Sequence, residues 1–227
     1  DLGPWSSVLA YGWIVLVLLV VLSPHIGVLL LSFASVWSFA PLPDGYTLAH
    51  YGTVFTDSPQ MIRNTLLYCG LAAGIDVVLG VAISYLILRT RLPGRHWLDW
   101  IASSALAIPG VVLAIGYLRF YKGLTLPFSD TLLTSTWVLI MVAYAVRRLP
   151  YALRACYAAL QQVNVSLEEA AESLGATKLA TIRRIVVPLM AGGILAGGVA
   201  SFITAAVELS ATLLLTSAES QAPMSYG

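Results

Sequence analysis

The sequence predicts an all-α protein that crosses a membrane several times. Of its 227 residues, 59% are hydrophobic and only 10% are charged, whereas soluble domains carry roughly 25% charged residues. Several apolar runs reach the roughly 20 residues that a helix needs to cross the hydrocarbon core of a bilayer. These features argue against a soluble enzyme and against a disordered segment, because too few polar side chains are present to cover a surface in water.

Charge and residue usage argue against several other classes. The net charge of +1 gives no basis for nucleic-acid binding, because few basic side chains are present to neutralise phosphates. Cys69 and Cys156 lie far apart and form neither a disulfide framework nor a metal pattern. The three histidines lack the spacing of metal ligands. The sequence therefore predicts no metal site, no cofactor and no nucleic-acid partner.

Five apolar runs predict five membrane-spanning helices in contact with the lipid bilayer. They cover about residues 11–37, 62–88, 97–121, 132–146 and 188–216. Pro24 predicts a kink in the first run, and Pro109-Gly110 predicts a bend or break in the third. The loop at 38–60 is expected to lie in water and to contain a short interfacial helix.

These runs divide the chain into three predicted parts. A first helix with an outer loop occupies residues 1–61, a helical core occupies residues 62–216, and a polar tail occupies residues 217–227. Within the core, Gly70 and Gly74 are spaced for close contact between helices, and so are Gly193 and Gly197.

The distribution of Lys and Arg predicts the orientation of the chain in the membrane. Nine of the 12 fall in two segments that a five-span topology places on one side. They are Arg89, Arg91, Arg95, Arg147, Arg148, Arg154, Lys178, Arg183 and Arg184. Because Lys and Arg are retained in the cytoplasm, this side and the amino terminus are expected inside. The segment at about 147–187 is then a long cytoplasmic loop.

The end of this cytoplasmic loop predicts a helical hairpin. Ser166 and Glu169 have the spacing of a capping box, so a helix is expected to begin at Ser166. Gly175 is expected to end that helix in the left-handed conformation, and Thr177 to cap a second helix. Pro188 then opens the fifth span, where its missing amide is harmless.

One face of the first hairpin helix is apolar and shallow. Its residues recur at helical spacing and are Leu167, Ala170, Ala171 and Leu174. From periodicity alone, two interpretations stay open. The stripe either packs back on its own helical bundle or enters a groove of a partner protein.

The hairpin resembles the EAA loop of type I ABC importer permeases. The residues Glu169-Ala170-Ala171, Gly175 and Ile185-Val186-Val187-Pro188 follow the spacing of that loop, with Val187 where leucine is usual. The resemblance extends over about residues 62–215. It is most marked to the ferric-iron branch of the family, on segments 107–114, 147–151 and 208–215.

This resemblance implies a type I permease fold with cytoplasmic coupling helices in the bacterial cytoplasmic (inner) membrane. It implies a transport subunit rather than an enzyme, and the sequence contains no phosphate-binding G-x-x-x-x-G-K-[ST] loop. The implied partners are ABC ATPase subunits, a second permease subunit or fused permease half, and an extracytoplasmic substrate-binding protein. The resemblance assigns ATPase coupling to Glu169, Ala170, Ala171, Gly175, Ile185 and Pro188. It implies ferric iron as substrate, with phosphonate, thiamine and polyamine as alternatives.

Three polar residues in the spans are candidates for the translocation path or a gate, namely Glu208, Ser210 and Asp76. A charge at this depth costs about 2.5 to 3.5 kcal/mol, so Glu208 needs either a cavity or a partner. A purely structural alternative stays open for each carboxylate. Ser210 and Thr212 would then satisfy Glu208, and Asp76 would serve helix packing.

Two other functional classes also stay open. An ion-driven secondary transporter would use Asp76 and Glu208 as ion sites, although the sequence shows no convincing inverted repeat. A membrane enzyme would need clustered catalytic side chains, but the acidic cluster at 168–172 contains no His or Cys. The cores of type I permeases normally continue with another span after the Glu208 segment. We therefore expect this chain to be part of a longer permease.

Overall fold

A computed structural model describes residues 3–38 and 40–226. These residues form helices joined by turns and loops. They divide into two compact units, one ending at Pro59 and the other beginning at Gln60.

The first unit contains a long apolar helix and a short one. Helix α1 spans Pro4–Phe33 and continues through Pro24, and α2 spans Ala49–Asp57. The prediction of a short helix in the loop at 38–60 is confirmed by α2. The His50 ring lies 2.9 Å from the Ala34 carbonyl oxygen, so α2 is held against the end of α1.

The second unit begins with α3, at Pro59–Arg89, followed by α4 at Arg95–Ala107 and α5 at Gly110–Phe120. The axes of α4 and α5 differ by 107°, which confirms the break predicted at Pro109-Gly110. Its cause is local. A proline disfavours the helical conformation of the preceding residue, and Ile108 is extended with φ −92° and ψ 125°.

Helix α6 spans Trp137–Gln162 and continues well beyond Val146, where the fourth span was predicted to end. The sequence predicts a span ending at Val146 and a loop from Arg147, but the helix continues through Arg147, Arg148 and Pro150. The prediction was wrong because charge and proline were taken to end the helix. The side chains of Arg147 and Arg148 are only 14% and 11% exposed, so both point into the unit rather than into a loop.

Apart from two 3-10 turns at Leu133–Ser135 and Glu219–Gln221, the remaining helical segments are short except for α10. They are α7 at Val165–Ser173, α8 at Lys178–Thr181, a π turn at Ile182–Val186, α9 at Val187–Leu189, α10 at Ala191–Ala206 and α11 at Thr212–Leu215. A bend of 72° separates the segment ending at Leu189 from α10. The fifth span is therefore not one helix over 188–216, and Pro188 precedes the bend rather than opening the span.

Helices α6 and α10 pack closely because glycines of α10 face alanines of α6. A methyl group added at Gly193 would overlap the Cβ of Ala159, and one added at Gly197 would lie 3.0 Å from the Cα of Ala152. The close contact predicted for this glycine pair is confirmed. Helix α3 approaches the same face of α6, where a methyl group at Gly80 would lie 3.1 Å from the Ala152 carbonyl carbon.

The other predicted glycine pair makes no such contact. Methyl groups at Gly70 or Gly74 would meet no atom of the described residues within 4 Å. The prediction was wrong within this chain, because small side chains permit a close contact but supply no partner. Buried Ala72 and Ala73 lie on the packed face of α3 instead.

Among the described residues, α1 and α3 are each long and apolar enough to cross a membrane. Counting each of two bent pairs as one span, α4 with α5 and residues 178–189 with α10, raises the number to four. Helix α6, which contains most of the predicted fourth span, carries three arginines and is not among them.

The end of the described chain packs on the second unit. The Asn64 side-chain amide donates to the carbonyl oxygens of Ser220 and Ala222 at 2.9 and 3.0 Å. The Met224 amide donates to the Thr65 hydroxyl at 2.8 Å. Residues 220–224 are thus held against the start of α3.

Candidate functional site

The predicted coupling residues lie in a hairpin formed by residues 164–189, which begins with α7. The N-cap of α7 is Asn164, whose side-chain oxygen accepts a hydrogen bond from the Ser166 amide at 3.0 Å. The predicted capping box of Ser166 and Glu169 is therefore wrong. Because Asn164 satisfies the amide at the helix start, α7 begins earlier and Glu169 takes no part in the cap.

The predicted left-handed stop at Gly175 is confirmed. Gly175 has φ +90°, its amide donates to the Glu172 carbonyl at 2.9 Å, and the Ala176 amide donates to the Ala171 carbonyl at 3.0 Å. These two bonds form a Schellman motif, which satisfies carbonyls that have no partner within the helix. Glycine is favoured here because most side chains are strained at this φ.

The second arm of the hairpin returns through the π turn. The Thr177 hydroxyl oxygen accepts a hydrogen bond from the Ala180 amide at 3.3 Å, which confirms the second predicted cap. Ile185 is half-buried in the π turn, and Pro188 is exposed in α9. Val186, between them, is fully buried. It packs in an apolar cluster with Cys156, Leu160, Val163 and Met190.

The apolar stripe of α7 is largely uncovered by the rest of the described chain. Leu174 is 90% exposed and Leu167 is 45% exposed. Glu169 and Ala170 are also exposed, and Ala171 is partly so. A groove of about 620 Å³ begins beside Leu167 and is lined mainly by small side chains, among them Ala155, Ala158, Ala159 and Gly192. Of the two interpretations of the stripe, this exposure favours a partner protein.

A different face of α7 is anchored by Glu168, which the sequence analysis did not assign to coupling. Glu168 is 6% exposed, and one of its carboxylate oxygens accepts a hydrogen bond from Arg89 Nε at 2.6 Å. The neighbouring carboxylates therefore have different environments, since Glu168 is buried in an ion pair and Glu169 is exposed. Helical periodicity places Glu168 and Glu169 on different faces, but no sequence signal identifies Arg89 as the partner.

Glu208 lies at the centre of a buried charged cluster. One carboxylate oxygen accepts from Arg147 Nη1 at 2.8 Å, and the other accepts from Arg148 Nη2. The Ala211 amide also donates to Glu208 at 3.3 Å. The alternative in which the hydroxyls of Ser210 and Thr212 satisfy this carboxylate is wrong, and the Thr212 hydroxyl donates to the Glu208 backbone carbonyl instead. The arginines satisfy the carboxylate because α6 continues far enough to bring them opposite Glu208.

The cluster lies beside the break between α4 and α5. A methyl group at Gly110 would overlap Arg147 Nη1 and lie 3.0 Å from Glu208 Oε1 and 2.9 Å from the Ser210 Cβ. Gly110 thus lets the first turn of α5 approach both Glu208 and Ser210. The structure brings these two predicted residues together, although Ser210 is exposed and Glu208 is buried.

Asp76 has a separate environment. It is fully buried in α3, and its Oδ2 accepts a hydrogen bond from the Ser201 hydroxyl of α10 at 2.5 Å. Its Oδ1 has no partner among the described residues. No hydrogen bond or ion pair in the described part of the chain joins Asp76 to Glu208, or either one to the hairpin residues.

Across residues 3–38 and 40–226, no three His, Cys, Asp or Glu side chains are grouped so that they could hold a metal ion.

Residues 76–225 match the family described as binding-protein-dependent transport system inner membrane component. The chain belongs to this family. Its members are transport components of the inner membrane, so the prediction of a transport subunit rather than an enzyme is confirmed.

Curated relatives transport different substrates. The chain is 32% identical over 188 residues to the ferric transport system permease protein FbpB of Actinobacillus pleuropneumoniae, covering 79% of this chain and 26% of that protein. It is 31% identical over 173 residues to the molybdenum transport system permease protein ModB of Escherichia coli K12, covering 70% and 72%. It is 30% identical over 175 residues to the sulfate transport system permease protein CysT of Salmonella typhimurium, covering 74% and 63%. The chain thus spans about a quarter of the ferric permease.

Solved structures share the fold. A bacterial ABC transporter involved in the import of the acidic polysaccharide alginate matches with a TM-score of 0.69 at 18% identity, covering 99% of this chain and 80% of that chain. The MetNI methionine ABC transporter matches with a TM-score of 0.52 at 21% identity, covering 65% and 68%. The predicted type I ABC importer permease fold is confirmed.

Proposed function

We propose that this chain is a permease subunit of an ATP-driven importer and that the hairpin at 164–189 is its contact with a separate ABC ATPase. The exposed stripe of α7 carries the proposal, because Leu174 is almost uncovered and Leu167 is only partly covered by the described chain. Exposed apolar side chains beside a rigid turn are suited to docking in a protein cleft. The carboxylate of Glu169 adds a charge that can pair with a basic group there.

The other proposed partners complete the transport cycle. A second permease subunit, or a permease half fused to this chain, forms the path together with it. An extracytoplasmic substrate-binding protein delivers the substrate, and ATP-driven closure of the ATPase subunits changes the side to which the path opens.

Substitution of Glu169 tests the coupling role. The docking surface is the exposed part of α7 that carries Leu167, Glu169 and Leu174. Glu169→Lys reverses a charge on this surface without disturbing the cap of α7. We expect uptake in reconstituted vesicles to fall about tenfold or more, with insertion and thermal unfolding unchanged. Glu219→Lys reverses another exposed carboxylate away from the hairpin and serves as the control. Normal uptake and normal ATPase stimulation by Glu169→Lys would contradict the proposal.

Ferric iron is the proposed substrate. The similarity to ferric permeases supports it, at 32% and 30% identity, and so do the segments at 107–114, 147–151 and 208–215. Purified receptors loaded with ferric iron, sulfate or molybdate should be compared for stimulation of ATP hydrolysis. We expect stimulation by the ferric receptor alone. Stimulation by the sulfate or molybdate receptor instead would contradict ferric iron as the substrate, but it would not contradict the role as a permease.

Glu208, Ser210 and Asp76 are proposed as residues of the translocation path or its gate. The cluster of Glu208 with Arg147 and Arg148 supports a gate, because it joins α6 to the segment after α10 beside the break at Gly110. Ser210→Cys tests exposure to the path. We expect its labelling by a soluble thiol reagent to change when ATP hydrolysis is arrested, and constant labelling would exclude Ser210 from a moving part of the path.

A further inference from the structure

One arginine joins the first helix of the hairpin, α7, to the helical bundle by an ion pair. Arg89 is the last residue of α3, and its side chain is 10% exposed. Its Nε donates to Glu168 Oε1 at 2.6 Å, and the Tyr85 hydroxyl donates to the other carboxylate oxygen at 3.3 Å. Glu168 is therefore held on two sides by α3, directly beside the exposed Glu169.

The same guanidinium holds the end of α6. Arg89 Nη2 donates to the carbonyl oxygens of Leu160 and Val163 at 3.2 and 2.6 Å. A cation at a helix carboxyl end satisfies carbonyls that have few helical partners, and the helix dipole favours its charge there. Because the guanidinium is planar and rigid, these contacts fix α3, α6 and α7 relative to one another.

Helix α3 is in turn fixed to the rest of the bundle. Asp76 of α3 accepts a hydrogen bond from Ser201 of α10 at 2.5 Å. The Ser84 hydroxyl of α3 donates to the Leu153 carbonyl of α6 at 3.4 Å. A force on α7 must therefore either carry α3, α6 and α10 with it or break the contacts of Arg89.

A second ion pair lies between α4 and α6 and differs in burial. Arg154 Nη2 lies 3.2 Å from Asp99 Oδ1, but the two side chains are 62% and 33% exposed. Water and salt compete with such a pair, so it fixes geometry weakly. The chain thus offers a matched exposed pair against which the buried pair can be tested.

We propose that Arg89 and Glu168 are positioning residues that transmit movement of the hairpin to the helical bundle. The inference rests on the proposed coupling to an ATPase. In this proposal both residues act through the hairpin rather than on nucleotide or substrate. Their pairing prevents α7 from tilting alone, so that ATP-driven movement of the docked hairpin reaches α3, α6 and α10.

The test measures uptake and ATP hydrolysis together in vesicles that contain the complete transporter and its receptor. Glu168→Gln keeps the size of the side chain and removes its charge, and Arg89→Lys keeps the charge and removes the planar fork. We expect Glu168→Gln to retain the ATPase and to lower uptake per ATP hydrolysed about tenfold. Arg89→Lys should lower uptake per ATP hydrolysed by a smaller factor. The control Asp99→Asn, in the exposed ion pair, should leave this ratio unchanged.

Several outcomes would overturn the inference. One is an unchanged uptake per ATP in Glu168→Gln, and another is a parallel loss of uptake and hydrolysis, which would indicate a role in folding or docking alone. If Glu168→Gln does not accumulate in the membrane, the ratio for Arg89→Lys decides in the same way. If the unsubstituted chain neither retains an ATPase nor stimulates it, the proposed function itself fails.

Discussion

The two groups of candidate residues differ in where their partners are. Glu208 is buried, and both of its oxygens are paired with arginines of the same chain. On the hairpin, Glu169 and Leu174 are exposed, and α7 contacts the bundle through the buried Glu168. The charged cluster therefore stabilises the fold whatever its role in transport. The exposed side chains of the hairpin are available to another protein.

The largest expected effect breaks the charged cluster. Glu208→Ala leaves two largely buried guanidinium groups without their carboxylate, and we expect the free energy of unfolding to fall by about 3 to 5 kcal/mol. Glu169→Ala should change it by less than about 0.5 kcal/mol, because that side chain is exposed. Thermal unfolding in detergent compares the two variants. Equal destabilisation would contradict the contrast between the regions.

The contact between α6 and α10 can be tested at adjacent glycines. Gly193→Ala places a methyl group against Ala159, and we expect a loss of about 1 to 3 kcal/mol in the free energy of unfolding. Gly192→Ala meets no atom within 4 Å and should be neutral or slightly stabilising, since alanine favours the helix. The same unfolding measurement applies, and similar values for both variants would refute the close contact.

The turn of the hairpin is expected to be less sensitive. Gly175→Val forces a β-branched residue to φ +90°, at an expected cost of about 1 to 2 kcal/mol. Because the turn orients the docking surface, co-purification with the ATPase should decrease. Gly175→Asn is the control, since asparagine tolerates the left-handed conformation. Unchanged co-purification of the valine variant would show that docking does not need this turn.

The smallest effect separates the observed cap from the predicted one. Asn164→Ala removes the side chain that accepts from the Ser166 amide, and we expect it to cost about 1 kcal/mol. Ser166→Ala should cost little, because its side chain does not cap α7. The protection of the α7 amides from hydrogen exchange measures both. A larger loss of protection for Ser166→Ala would favour the capping box.

Features set by local backbone chemistry could be predicted from the sequence. Gly175 ends α7, Thr177 caps α8, and Pro109-Gly110 breaks the third run, because each depends on residues within a few positions. The hairpin and its permease family could also be predicted, because all elements of the pattern lie within one short segment, from Glu169 to Pro188.

Features that depend on distant partners could not be predicted. Arg147 and Arg148 were predicted to lie in a loop because they are charged. Their charge alone does not show that they pair with Glu208, about 60 positions away. Arg89 was counted as a marker of orientation, although its side chain binds Glu168 and the end of α6. Gly70 and Gly74 have the spacing of a helix contact, but this spacing does not show whether any residue lies opposite them. In each case the missing information is the identity of the residue opposite.

Cross-linking from Leu174 tests the docking surface most directly. The two native cysteines are fully buried, so a thiol cross-linker attached at Leu174→Cys reports on that site. With the ATPase subunit co-expressed, we expect Leu174→Cys to cross-link to it and Val78→Cys, an exposed position within the long apolar helix α3, to give no product. Absence of a product at Leu174, or labelling of this cysteine by an impermeant reagent from outside the cell, would contradict docking of the hairpin on a cytoplasmic ATPase.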